Sequence, residues 1–182
     1  LDKDEGPNTG GMGAYCPPPI LSSKLEGKIM NEILEPTMHG LRKRGVEYKG
    51  VLFAGLMVNE NKPSLIEYNV RFGDPETQAL LMLMKSDFTE LLQETVNGNI
   101  KNYNLEWQKK RAITVVLANQ GYPYQYNKYA EIYGINDAET NPNVKVFHAG
   151  TSMMNGTLVA TGGRVLNVTS VAETLDLARA VS

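Results

Sequence analysis

The chain is 182 residues long, with 42% hydrophobic and 21% charged residues, which suits one globular domain or two small ones and excludes a disordered chain. A net charge of −2 and a pI near 5.8 provide no electrostatic footprint for nucleic acid or an anionic membrane surface. The single cysteine, Cys16, excludes an internal disulfide and a cysteine-rich zinc site and suits a reducing, cytoplasmic setting.

In chain order, residues 6–19 (GPNTGGMGAYCPPP) read as a loop. Gly6, Gly10, Gly11 and Gly13 permit positive φ and close backbone approach to a ligand, as phosphate- or carboxylate-holding turns require. A flexible connector explains the same composition, and no Gly-Lys-Ser/Thr ending makes it a phosphate loop. Ser23 to Glu26 forms a capping box opening a helix. Leu25, Ile29, Ile33, Leu34, Met38 and Leu41 give that helix an apolar stripe. Pro36 is expected to kink or divide it, and Gly45 to end it. Arg42, Lys43 and Arg44 then complement the helix dipole. Residues 51–58 (VLFAGLMV) predict a strand buried on both faces. After a turn at Asn59 to Pro63, a second strand over 64–71 completes an antiparallel hairpin.

The stretch 64–78 (SLIEYNVRFGDPETQ) is the most informative. At strand period Glu67, Asn69 and Arg71 share one face, and Ile66, Tyr68 and Val70 the other. A carboxylate, an amide oxygen and a guanidinium on one face suit a magnesium ion and the anionic oxygens it gathers. A solvated face with a Glu67–Arg71 ion pair satisfies the same spacing. Asp74 and Pro75 read as N-cap and first residue of a helix running to Met84. Asp87, with Glu90, caps the next helix, closed by Asn97-Gly98-Asn99.

The polar stretch 100–110 marks a domain boundary, dividing the chain into 1–104 and 105–182. Residues 112–118 predict a strand, followed by a tyrosine-rich loop from Gly121 to Tyr129 whose tyrosines suit stacking on a base but read first as a half-buried cover. Residues 144–147, 157–160 and 164–169 read as strands, with a hairpin turn at Asn155-Gly156. Ser170 and Glu173 are expected to cap a last helix, with Val171, Leu175 and Ala178 inward. The fold class is therefore α+β: mostly antiparallel sheet with helices, plus a small α+β C-terminal domain. His39 and His148 read as surface or satisfied histidines, without metal-ligand spacing. Leu1 is not a start methionine and a helical pattern is still running at Ser182, so a longer parent chain is expected.

Taken together, GPNTGGMGAY, GVLFAGLMV, EYNVRFGDPETQ, VFHAGT and GGRVLNVT resemble the phosphoribosylglycinamide synthetase family of ATP-grasp ligases, over nearly the whole chain and in order. The resemblance implies that residues 1–104 are the C-terminal half of an ATP-grasp core, with an N-terminal part of the same protein outside this chain. It implies a purine-biosynthesis reaction in which glycine is joined to 5-phosphoribosylamine at the expense of ATP, through glycyl phosphate. Glu67 and Asn69 match the family's metal pair, for Mg2+ or Mn2+, and Arg71 the arginine beside the reacting phosphates. The amides of Gly10, Gly11, Met12 and Gly13 match the phosphoribosylamine and glycine pocket. Asp74 and Glu76 are weaker candidates, and Cys16 stands where serine is expected in many members. The implied partners are ATP, glycine and 5-phosphoribosylamine, with no nucleic acid or membrane. Another ATP-grasp carboxylate–amine ligase, or a non-catalytic module of the same fold, is the alternative.

Overall fold

The computed structural model describes residues 5–182; residues 1–4, where the expected 1–104 domain begins, lie outside the described residues. The chain forms two compact units. The first takes the segment ending at Cys16, Asp74–Leu83 and Gln108–Ser182; the second takes Pro17–Gly73 and Met84–Trp107. Chain order runs β1 (Gly13–Cys16), α1 (Ser23–Ile29), α2 (Glu35–Lys43), β2 (Phe53–Asn59), β3 (Lys62–Asn69), α3 (Glu76–Leu83) and α4 (Phe88–Asn97). It continues with β4 (Arg111–Ala118), α5 (Ile135–Ala138), β5 (Val144–His148), β6 (Thr151–Met154), β7 (Thr157–Ala160), β8 (Arg164–Ala172) and α6 (Leu175–Val181).

In the first unit, β1, β4, β8 and β5 form an antiparallel sheet in that order. Central β8 is buried on both faces along most of its length, so its sequence reads as a near-continuous run rather than an alternation. Ala112 of β4 and Val171 of β8 are register partners and pack with Ala79 and Leu83 of α3. Ser170 projects from the opposite face and donates to the Ala178 carbonyl of α6 at 2.7 Å. The sheet thus separates α3 from α6. A second cluster, Val146, Ala160, Val165 and Leu166, packs with Ile132 and Ile135. The β6–β7 hairpin turns at Asn155-Gly156, both at positive φ (49° and 83°), as the sequence anticipates.

In the second unit, β2 and β3 form the expected antiparallel hairpin, joined through Glu60 and Asn61 at φ 49° and 59°. The Gly55–Glu67 and Leu56–Leu65 pairings leave Ile66 as a bulged residue. Asp87 caps α4 by accepting from the Glu90 amide at 2.9 Å, and Gly98 ends it in the left-handed region.

Several expectations are corrected. Residues 13–16 of the supposed loop form edge strand β1, because Gly13 passes so close to the Thr114 carbonyl that a Cβ would lie 2.8 Å from it. The helix carrying Pro36 is not divided there: helical dihedrals run on from α1 through to α2. Met30–Leu34 widens to a π-type turn, and the Glu35 amide bonds the Met30 carbonyl. Proline offers no amide to the carbonyl four residues back, and widened turns accommodate such a gap. Strand β2 is not buried on both faces: Met57 is 60% exposed, because a two-stranded ribbon is covered on one side at most. Strand β3 stops at Asn69, where its partner Phe53 begins β2, so Arg71 lies past the paired strand. Helix α3 starts at Glu76. Ser170 belongs to β8, and the cap of α6 is Thr174, which accepts from the Leu177 amide at 3.2 Å.

Candidate functional site

On β3, Glu67 and Asn69 project from one face and touch: Asn69 Nδ2 donates to Glu67 Oε1 at 3.0 Å. Opposite Glu67 stands Gly55, where a Cβ would lie 3.2 Å from Glu67 Cγ. A bare backbone across the hairpin is what lets the glutamate lie flat toward Asn69. With the amide nitrogen turned to the carboxylate, the Asn69 oxygen and the second Glu67 oxygen remain as acceptors. That donor set fits a hard divalent cation that takes one or two protein oxygens and keeps water or phosphate on its other positions. Among the described residues no three His, Cys, Asp or Glu side chains cluster as a metal cage, so a closed zinc-type centre is not built here. Arg71 is exposed and its Nη1 donates to the Phe72 carbonyl at 2.8 Å. The third member of the predicted face is therefore held by its own backbone neighbour, not by Glu67.

Gly10 to Gly13 belong to the first unit. The Gly10 amide donates to Tyr122 Oη at 3.2 Å. The Met12 carbonyl accepts from the Val116 amide at 3.0 Å. This makes Met12–Val116 a hydrogen-bonded pair and Gly13–Val115 a non-hydrogen-bonded one, so the Gly13 amide faces outward from edge strand β1. Asp74, joined to Pro75 by a cis peptide, accepts from Gln78 Nε2 at 2.9 Å on Oδ1 and from Arg164 Nη2 at 2.8 Å on Oδ2. The same guanidinium donates through Nη1 to the carbonyls of Gly11 (2.9 Å) and Asp74 (3.1 Å). Sequence reading missed Arg164 and Tyr122. Each lies more than a hundred residues from the glycine it holds, and no local periodicity reports such a contact.

Cys16 is half-buried beside the α3 cluster. Burial pushes its thiol up, and Arg111 pulls it only part of the way back. A protonated thiol is a poor nucleophile. Iodoacetamide at pH 7, followed by mass spectrometry, is expected to alkylate Cys16 more slowly than free glutathione. His148 is exposed, with Nδ1 3.0 Å from Thr151 Oγ1, as a satisfied surface histidine would be.

Close by in sequence, Glu139 is held below the usual carboxylate range by Lys145 Nζ at 2.7 Å and by the Val146 amide at 2.9 Å. A depressed folded-state value means that the interaction stabilises the fold above the unfolded pKa and is lost as pH falls through the folded one. NMR titration is expected to give a Glu139 midpoint below that of an ordinary exposed glutamate. Lys145→Met should raise it.

Family models divide along the same chain. The phosphoribosylglycinamide synthetase ATP-grasp (A) domain matches residues 1–77, and the C domain of the same enzyme matches residues 112–182. The chain belongs to the phosphoribosylglycinamide synthetase family. Among its relatives, the phosphoribosylamine–glycine ligases of Brucella melitensis and Agrobacterium fabrum are 47% and 50% identical over 179 residues, covering 98% of this chain and 42% of each relative. The crystal structure of phosphoribosylamine–glycine ligase from Thermotoga maritima superposes with a TM-score of 0.80 at 35% identity, over 98% of this chain and 43% of that one. The synthetase family chain thus spans less than half the length of these relatives. The α+β class and antiparallel sheets agree with the sequence expectation. No helix among the described residues is long and apolar enough to cross a membrane.

Proposed function

We propose that this chain supplies the C-terminal part of an ATP-dependent ligase that joins glycine to 5-phosphoribosylamine. The observation that carries the reading is the Glu67–Asn69 contact on one strand face, in a chain whose two ends match the A and C domains of one synthetase family. In the reaction a glycine carboxylate oxygen takes the γ-phosphoryl group of ATP, giving glycyl phosphate and ADP. The phosphoribosylamine nitrogen then attacks the acyl carbon, phosphate leaves, and the nitrogen loses a proton.

Glu67 and Asn69 would hold Mg2+ or Mn2+, which when bound neutralises charge on the nucleotide phosphates. Arg71 is assigned to the oxygens that gain charge during acyl transfer. Its planar, permanently charged fork is suited to that task, and the Phe72 carbonyl is a neutral acceptor it can exchange for an anion. Gly10 to Gly13 are assigned to the phosphoribosylamine and glycine pocket, with the outward Gly13 amide as the best-placed donor. Two domains, 1–104 and 105–182, a cytoplasmic setting and the need for a preceding N-terminal portion belong to the same proposal.

The test joins this chain to the N-terminal portion of the Agrobacterium fabrum ligase in place of that enzyme's own matching segment. Formation of glycinamide ribonucleotide, ADP and phosphate supports the reading. A folded hybrid that binds ATP but makes no product contradicts it.

A further inference from the structure

Arg164 stands out because its one guanidinium serves three acceptors on two segments remote in sequence. It meets the Gly11 carbonyl, the Asp74 carbonyl and the Asp74 carboxylate, all at 2.8–3.1 Å. The segments are shaped to admit it. A Cβ at Gly10 would lie 2.7 Å from Arg164 Cζ, and a Cβ at Gly11 would lie 2.5 Å from Pro75 Cδ. Glycine at both positions is what lets the guanidinium and the proline ring close on the loop. A second prong acts one residue away. Tyr122 lies on Gly163, where any Cβ would collide with its ring, and its hydroxyl accepts the Gly10 amide at 3.2 Å. The base of the clamp is fixed by Asn119, whose side chain donates to the Gly162 carbonyl at 2.7 Å and whose amide donates to the Gly163 carbonyl at 2.8 Å.

We infer that Arg164 and Tyr122 are positioning residues that hold the Gly10–Gly13 loop in its binding shape, with Arg164 tying it to the Asp74 turn. The two prongs occupy different loop groups: the hydroxyl takes the Gly10 N–H and the guanidinium takes the Gly11 C=O. Neither consumes the outward Gly13 amide. A planar guanidinium can span the three acceptors because its donors diverge in one plane; an ammonium is a point charge without that fork. The link to substrate affinity rests on the reading that this loop binds phosphoribosylamine and glycine.

Two readouts test the clamp. In 15N-labelled chain, Arg164→Ala should move and broaden the Gly11 and Gly13 amide signals, and Tyr122→Phe the Gly10 signal, while β4 and β8 amides stay in place. In the joined ligase, losing a charge-assisted contact of this kind should raise KM for glycine or 5-phosphoribosylamine about tenfold with kcat within about threefold. Arg164→Lys should recover part of the loss. Loop amides unmoved by both substitutions, or an unchanged KM accompanied only by a lower melting temperature, overturns the inference. Should Arg164→Ala fail to fold, Tyr122→Phe, which removes a single oxygen, decides it. An unsubstituted joined ligase without activity would count against the proposed reaction, and the loop amides would still decide the clamp.

Discussion

Glu67→Gln in the joined ligase lowers the rate of glycinamide ribonucleotide formation by about 10²–10³-fold and leaves the melting curve where it was. The two halves of this expectation have separate causes. Glu67 is exposed and its carboxylate accepts the Asn69 amide, a bond that a glutamine oxygen can still accept, so folding loses little. Glutamine removes the one charged oxygen of the pair. A neutral amide pair is a weak partner for a hard divalent cation and leaves phosphate charge uncompensated. Arg71→Lys is expected to cost about 3–4 kcal/mol in transition-state stabilisation, by analogy with the loss of a single oxyanion donor. Initial rates at saturating ATP and Mg2+ measure both. Unchanged rates in both variants would favour a non-catalytic module of the same fold.

The largest expected loss of stability comes from Leu83→Ala. Leu83 is 3% exposed and closes the cluster of Ala79, Ala112 and Val171 between α3 and the sheet. Its buried neighbours are small, and two of them are alanines that cannot extend to fill a void. A leucine-to-alanine exchange in such a place costs about 2–5 kcal/mol, and the rigid sheet backbone points to the upper part of that range. Urea unfolding followed by hydrogen exchange should show the loss in β4 and β8, with the m-value unchanged. A loss below about 0.5 kcal/mol, the level of ordinary surface substitutions, would mean that this cluster is not the core of the first unit.

What the sequence disclosed, and what it withheld, follows from the range of the interactions. The pairing of Glu67 with Asn69 was legible because alternation along a strand is a local rule. The caps at Asp87 and Gly98 and the turn at Asn155-Gly156 are local for the same reason. The end of β3 is not legible: it depends on where Phe53 begins the partner strand, and strand period alone puts Arg71 on a face that the ladder does not reach. Strand β1 was hidden because its glycines read as loop, although close passage against Thr114 is what requires one of them. Ser170 followed by Glu173 looks like a capping box, but burial on β8 and a bond to Ala178 claim the serine first. The Arg164 clamp could not be read at all, since it joins residues 153 and 90 positions apart.

Paramagnetic Mn2+ added with ATP to 15N-labelled chain probes the cation pair without requiring turnover. The Asn69 side-chain amide and the Glu67 backbone amide should broaden first, and Glu67→Gln combined with Asn69→Leu should abolish that priority. Broadening that begins elsewhere and is indifferent to the double substitution would show that β3 does not hold the ion.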